Sequence, residues 1–285
     1  MRSNHILRLV LLSLTLVLLA AAAISCSGEP EGEDVIGVVV TIPPQAELVE
    51  RVGGGRVAVT VMVPAGASPH TYEPTASQMV ALEGAKMYAE MGSGVEFELA
   101  WMDRIEAANG DMLVVDCSRG IDVEGNDPHI WMSPLNAEVI VRNICRGLTE
   151  VDPDGRAYYQ GNRDRYLEEL AQLDWEISER LSGAAGRMFI VYHPSLGYLA
   201  REYDLTMLPI EEEGKEPTGA EIASLVEQAE EFDIEVIFAS PQFNPRNAEV
   251  IAGEIGGRVV FVDPLARDYI ANLRFLLSEL AQAVE

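Results

Sequence analysis

Asp127-Pro128-His129-Ile130-Trp131-Met132-Ser133-Pro134 sets a histidine in a short, stiff loop, between a predicted strand ending near Asp116 and a predicted helix starting near Leu135. Of the four histidines in the 285-residue chain, His5 falls in a removable leader, which leaves His70, His129 and His193. Each touches a proline: Ser68-Pro69-His70, Asp127-Pro128-His129 and His193-Pro194-Ser195. With proline at about 5% of residues, one histidine has roughly a one-in-ten chance of such a neighbour, so the triple is on the order of one in a thousand. Proline fixes φ and removes a donor, so a ring beside it is carried on backbone that gives up less entropy when held in one geometry. Metal ligation asks for that. Any one of the three alone reads as an ordinary histidine near a turn; the three together point to a site.

Outward from this stretch, the ends of the chain define where the protein works. Arg2 and Arg8, an apolar run from Leu9 to Ala23 and small residues before Cys26 read as a signal peptide over 1–26. Ala23-Ile24-Ser25-Cys26 resembles a bacterial lipobox, with Cys26 as the lipid-bearing new N-terminus, and 27–34 reads as a flexible tether of Gly, Pro and acids. The chain carries 20 Lys+Arg against 46 Asp+Glu; without the leader, which holds two arginines and no acids, 18 face 46, a net charge of −28. Nucleic acid is excluded as a partner for such a surface, and a cation is favoured. Cys117 and Cys145 remain after the leader, and an exported location permits either a disulfide or two free thiols.

Along the chain, Val35 to Thr41 is a continuous apolar run of the kind a strand buried on both faces shows. Strands are then expected at Val57–Val63, Lys86–Met91 and Met112–Asp116, alternating with helices that open at Pro43, Thr75, Val95 and Asn136. Alternation of this kind predicts a parallel sheet. From Pro153 to Gly183 the spacing is helical throughout, with Tyr158, Tyr159, Tyr166, Leu167, Leu170, Leu173, Trp175, Ile177 and Leu181 as the apolar stripe. Thirty-odd residues at 1.5 Å each span roughly 45 Å, a strut rather than an ordinary packing helix. Alternation resumes with strands at Met188–Tyr192, Leu205–Ile210, Ile234–Ala239 and Arg258–Val262. The fold class read from this is α/β, two lobes of about four parallel strands each, with an N-terminal lobe at 35–152, a linking helix at 153–183 and a C-terminal lobe at 184–285.

Ligands of open parallel sheets bind outside the carboxyl ends of the strands. His70, His129, His193 and Asp263 all fall in loops leaving such ends, two from each half, so a site built from them lies between the lobes. Three imidazoles and a carboxylate match tetrahedral zinc, whereas manganese prefers more oxygen and Mg²⁺ or Ca²⁺ an oxygen shell. Glu211, Glu212, Glu213 or a water are alternatives to Asp263 as fourth ligand, and Asp127 reads as a turn former or an outer partner of His129. No His-Glu-x-x-His arrangement is present, so an exported zinc-dependent hydrolase, or a surface adhesin with a structural metal, ranks behind a non-catalytic metal receptor.

Gly66-Ala67-Ser68-Pro69-His70-Thr71-Tyr72-Glu73-Pro74, Asp127-Pro128-His129-Ile130-Trp131, Tyr192-His193-Pro194-Ser195 with Gly197-Tyr198, and Val262-Asp263-Pro264-Leu265 resemble, in that order, the signature stretches of the zinc/manganese solute-binding lipoproteins of ABC importers, the ZnuA/TroA-like group. The resemblance covers nearly all of the mature chain. It implies two lobes joined by one long helix, with the ion held by residues matching His70, His129, His193 and Asp263. It implies Zn²⁺, with Mn²⁺ as alternative, because manganese receptors often carry a Glu where this chain has His193. It further implies delivery to a membrane ABC permease by an exported, lipid-anchored or periplasmic monomer. Many zinc members carry a His- and acid-rich loop before the second histidine; here Ser118 to Asp127 is short and has no histidine, so the resemblance does not extend to loop-assisted capture.

Overall fold

β-branched and apolar residues in Ile36–Val40 form the first strand, β1, and Pro43-Pro44 then open helix α1 (Pro43–Gly53) where their missing N–H groups cost nothing. The computed structural model describes residues 35–211 and 214–284; the predicted leader with Cys26, the tether, Glu212 and Glu213 lie outside the described residues. Gly54 follows α1 at a φ of 54°, a left-handed conformation that glycine adopts without a Cβ penalty, and the chain turns into β2 (Val57–Val61). Helix α2 (Ala76–Ala81) is capped by Thr75, whose side chain accepts from the Gln78 amide. Strand β3 (Met87–Glu90), helix α3 (Glu96–Ala108), strand β4 (Leu113–Asp116) and helix α4 (Pro134–Val151) complete the first half. Ser133 caps α4 by accepting from Asn136 N at 3.0 Å, and Pro134 occupies the first helical position.

The second half repeats the plan with β5 (Met188–Val191), α6 (Gly197–Glu202), β6 (Thr206–Pro209), α7 (Gly219–Glu231), β7 (Val236–Ala239), α8 (Arg246–Glu254), β8 (Arg258–Phe261) and α9 (Tyr269–Ala283). Between them runs α5 (Arg156–Leu181). Each half builds a four-stranded, all-parallel sheet, in the order β2-β1-β3-β4 and β6-β5-β7-β8. The strand order reverses between the first and third strand of each sheet, and at such switch points the loops diverge and leave a crevice.

The linking helix is shorter than its sequence pattern predicts. Pro153–Gly155 forms a 3₁₀ turn, held by the Asp152 side chain accepting from Gly155 N, and the 26-residue α5 follows, a length of about 39 Å. Its buried face carries Tyr159, Tyr166, Leu167, Leu170, Leu173, Ile177 and Leu181 as expected, but Tyr158 and Trp175 are 45% and 57% exposed. Both lie one or two residues from a buried neighbour, and the ~100° rotation per residue carries them off the stripe.

One apolar core runs from the first sheet through α4 and α5 to a single face of the second sheet, where Phe189, Val191, Phe238 and Val260 point inward, and on to α9. The alternate residues Ile190, Tyr192, Ile237 and Ala239 face the other way and form a smaller core with Leu225 of α7 and Ile251 of α8. Both sheets thus share a packed interior. Cys117 and Cys145 are buried free thiols, and burial pushes both thiols up.

Candidate metal centre

The loops that leave the carboxyl ends of β2, β4 and β5 each deliver one histidine. After β2, Ser68 turns the chain by accepting from Thr71 N at 3.2 Å and Tyr72 N at 3.0 Å, with the His70 N–H on Ser68 Oγ at 3.3 Å. After β4, Asp127 Oδ1 accepts from His129 N at 3.0 Å, and Ser93 Oγ, in the turn after β3, donates to Pro128 O at 2.5 Å. After β5, His193 enters a turn closed by Ser195 N donating to His193 O at 2.7 Å.

The three rings converge. Ring centroids of His193 stand 4.9 Å from His70 and 5.0 Å from His129, and one ligand nitrogen of each lies within 4.8 Å of the others. His129 Nε2 and His193 Nε2 are 3.2 Å apart. Two nitrogens on a tetrahedral zinc at about 2.0–2.1 Å stand roughly 3.3–3.4 Å from each other, so the pair already has the spacing of shared coordination. Each ring is oriented by a carboxylate on its other nitrogen: Glu96 Oε1 at 2.8 Å from His70 Nδ1, Asp127 Oδ1 at 2.7 Å from His129 Nδ1, and Glu211 Oε2 at 2.9 Å from His193 Nδ1. A carboxylate accepting at Nδ1 fixes the tautomer and leaves the Nε2 lone pair for a metal. With one nitrogen of each ring within 4.8 Å of the others, a cation placed among them would draw on all three lone pairs.

Electrostatics agree with that arrangement. Burial lowers the pKa of His129 below its ordinary 6.5 even though Asp127 works the other way, which keeps the ring neutral, the form that ligates. Burial works to raise the carboxyls of Glu96 and Glu211, but the hydrogen bonds they accept, from His70 and His193 among others, together with the attraction of the nearby imidazoles, bring both below their ordinary value. Phe243, from the loop after β7, stacks on His193 at 4.6 Å and 25°, and Trp131 stands edge-on to His129 at 5.2 Å. The space bounded by the three imidazoles, Trp131, Gln242 and Phe243 is about 20 Å³, room for a single ion or water. Outside it opens a cleft of about 860 Å³ lined by Glu96, Asn126, Glu211 and Gln242 among others.

Of the four ligands predicted, the structure brings together His70, His129 and His193 and sets Asp263 apart from the group. The Asp263 Oδ1 accepts from Gln242 Nε2 at 2.6 Å and from Leu265 N at 2.9 Å, closing the Asp-Pro turn that follows β8. Glu211 is likewise engaged, on His193 and on Gly214 N.

The chain matches the profile of the zinc-uptake complex component A, periplasmic, over residues 38–283. It belongs to the ZnuA family. The high-affinity zinc uptake system protein ZnuA of Bacillus subtilis (strain 168) is 29% identical over 255 residues, 81% of this chain and 79% of that one. The manganese-binding lipoprotein MntA of Halalkalibacterium halodurans is 28% identical over 261 residues, 87% of this chain and 86% of its own. A crystal structure of ZnuA superposes with a TM-score of 0.84 at 38% identity, covering 88% of this chain and all of that one. The family is one of solute-binding receptors, and its two parallel sheets joined by a long helix are those described above.

Sequence reasoning did not single out Glu96, Ser93, Gln242 or Phe243. They stand at the carboxyl ends of β3 and β7, the same edge that marked the histidines, so a search of every such loop rather than of the histidines alone would have reached them.

Proposed function

We propose that this chain is an exported receptor that captures one transition-metal ion, zinc in preference to manganese, and delivers it to an ABC importer. Three buried or half-buried imidazoles, each bringing one nitrogen to a space of ion size and each backed by a carboxylate, carry the reading. His70, His129 and His193 supply three ligands, and the fourth position is one that a water or Asp263 would fill. Three nitrogens suit zinc better than manganese. Lipid on Cys26 would hold the receptor beside its permease as a monomer, with lobes at 35–152 and 184–285 gripping the ion from either side of the helix at 153–183. A hydrolytic centre would need a carboxylate set free beside an open metal position; Glu96, Asp127 and Glu211 are each bonded to an imidazole instead.

Zinc titration of the purified protein against a chromophoric chelator tests this. The expected result is one equivalent per chain, outcompeting manganese, with tight binding lost in His129→Ala and His193→Ala. Undiminished binding in either variant overturns the proposal.

A further inference from the structure

We infer that Gln242 is a specificity-determining residue: by holding the Asp263 carboxylate, it keeps a hard oxygen ligand off the ion and biases a three-nitrogen centre towards zinc. The inference rests on the receptor reading above. Gln242 lines the same small space as the three imidazoles, and its Nε2 donates to Asp263 Oδ1 at 2.6 Å. The two residues come from adjacent loops, because β7 and β8 pair with Ala239 opposite Phe261, and Val262 N extends the ladder to Ala239 O at 2.9 Å. The next residue in the loop, Phe243, stacks on His193, so one short segment both packs a ligand ring and restrains the carboxylate.

The backbone beneath the carboxylate is pinned. Asn272 Nδ2 donates to Asp263 O at 2.8 Å, and Trp131 Nε1 donates to Pro264 O at 2.8 Å. Asp263 therefore changes partner through its own side-chain rotation, from the Gln242 amide and Leu265 N to an ion, rather than by movement of the loop. Pro264 and Leu265, directly after it, already border the ion-sized space.

The two metals feel this restraint differently. Zinc is satisfied by three imidazoles and a water in a tetrahedral shell. Manganese binds nitrogen more weakly, and its affinity depends more on oxygen ligands and a larger coordination number. Gln242 and Leu265 N both donate to Oδ1, so turning the carboxylate towards the ion costs the charge-assisted bond from Gln242, and that cost falls on manganese more than on zinc.

Dissociation constants for Zn²⁺ and Mn²⁺ on the full chain, measured by chelator competition, test the assignment in Gln242→Ala, Gln242→Asn, Asp263→Asn and the double variant Gln242→Ala/Asp263→Asn. Asn keeps the amide but is one methylene too short to hold the same bond. Both Gln242 variants should raise the ratio of manganese to zinc affinity by about tenfold, the scale of one hydrogen bond to a charged group. The double variant should show the same ratio as Asp263→Asn alone, because the gain from losing Gln242 runs through the carboxylate. Gln242 is half-exposed, and thermal melts of the metal-free forms check that each variant folds. One zinc held through the histidines with an unchanged ratio in both Gln242 variants overturns the inference and leaves the receptor reading standing. A gain that persists in the double variant over Asp263→Asn alone also overturns it, because the effect would not run through Asp263. Zinc binding that is absent, or indifferent to His129→Ala, removes the receptor reading itself.

Discussion

Each of the three clustered imidazoles is paired with a carboxylate that the chain brings from elsewhere or from two residues away: Glu96 at the start of α3 for His70, Asp127 for His129, Glu211 after β6 for His193. Glu96→Gln keeps the shape and removes the charge, and zinc affinity should fall by about 10- to 100-fold, the usual effect of losing such an outer partner. Half of the Glu96 side chain is exposed, so the melting temperature of the metal-free protein should hold while the isotherm shifts. Trp131 contributes through its indole N–H, buried and donating to Pro264 O at 2.8 Å. Trp131→Phe leaves that carbonyl without its partner, and urea denaturation should report a loss of about 1–3 kcal/mol. At this scale the sequence marked His70, His129 and His193 by their prolines, but Glu96 and Gln242 carry no local signal. Their roles exist only because β3 and β7 end beside the histidine loops.

Between elements, close approach and charge decide the packing. Helix α4 lies on β3 and β4 at Gly147, where an added Cβ would come within 2.5 Å of Val115 Cγ2 and 2.9 Å of Met87 Sδ. Gly147→Ala gains up to about 1 kcal/mol of helix propensity, while overpacking against a stiff β-branched side chain costs about 1–3 kcal/mol. The second effect wins, so chemical denaturation should show a less stable protein. At the end of β3, burial and the charges of Glu98, Asp116 and Glu106 push the Glu90 carboxyl up to about 7 from its ordinary 4.5. A raised folded pKa means that the native state favours the protonated acid; this contribution is complete below pH 4.5 and is lost as pH rises through about 7. Glu90→Gln, neutral at every pH, should therefore raise the melting temperature at pH 8 and leave it unchanged at pH 4. The elements themselves were legible, because apolar runs bounded by Gly and Pro name parallel strands. Tyr158 and Trp175 were misplaced on the buried stripe of α5 because hydrophobicity counts them as core, while rotation about the helix axis puts them in water.

Across the whole molecule, the two sheets are tied by more than one connecting helix. Trp131 reaches Pro264 O, Tyr269 Oη donates to Trp131 O at 2.7 Å, Tyr198 Oη donates to Asp127 O at 3.2 Å, and Arg274 pairs with Glu176 of α5 at 2.8 Å. With the apolar core continuous between the sheets, a wide hinge would break these bonds and expose that core. Small-angle scattering of the metal-free and zinc-loaded protein should give nearly superimposable curves, with loading confined to loop and side-chain rearrangement; a large compaction on loading would contradict this.

The amino-acid sequence by itself determined two parallel α/β halves, the long helix between them and three histidines at strand ends, because periodicity, proline and glycine act locally and leave a local trace. Which atoms meet across the cleft was decided only by the tertiary structure. The 3.2 Å spacing of His129 and His193, the carboxylates behind His70 and His193 and the hold of Gln242 on Asp263 join residues that are not neighbours along the chain, and their distances are set by how two sheets pack on one shared core.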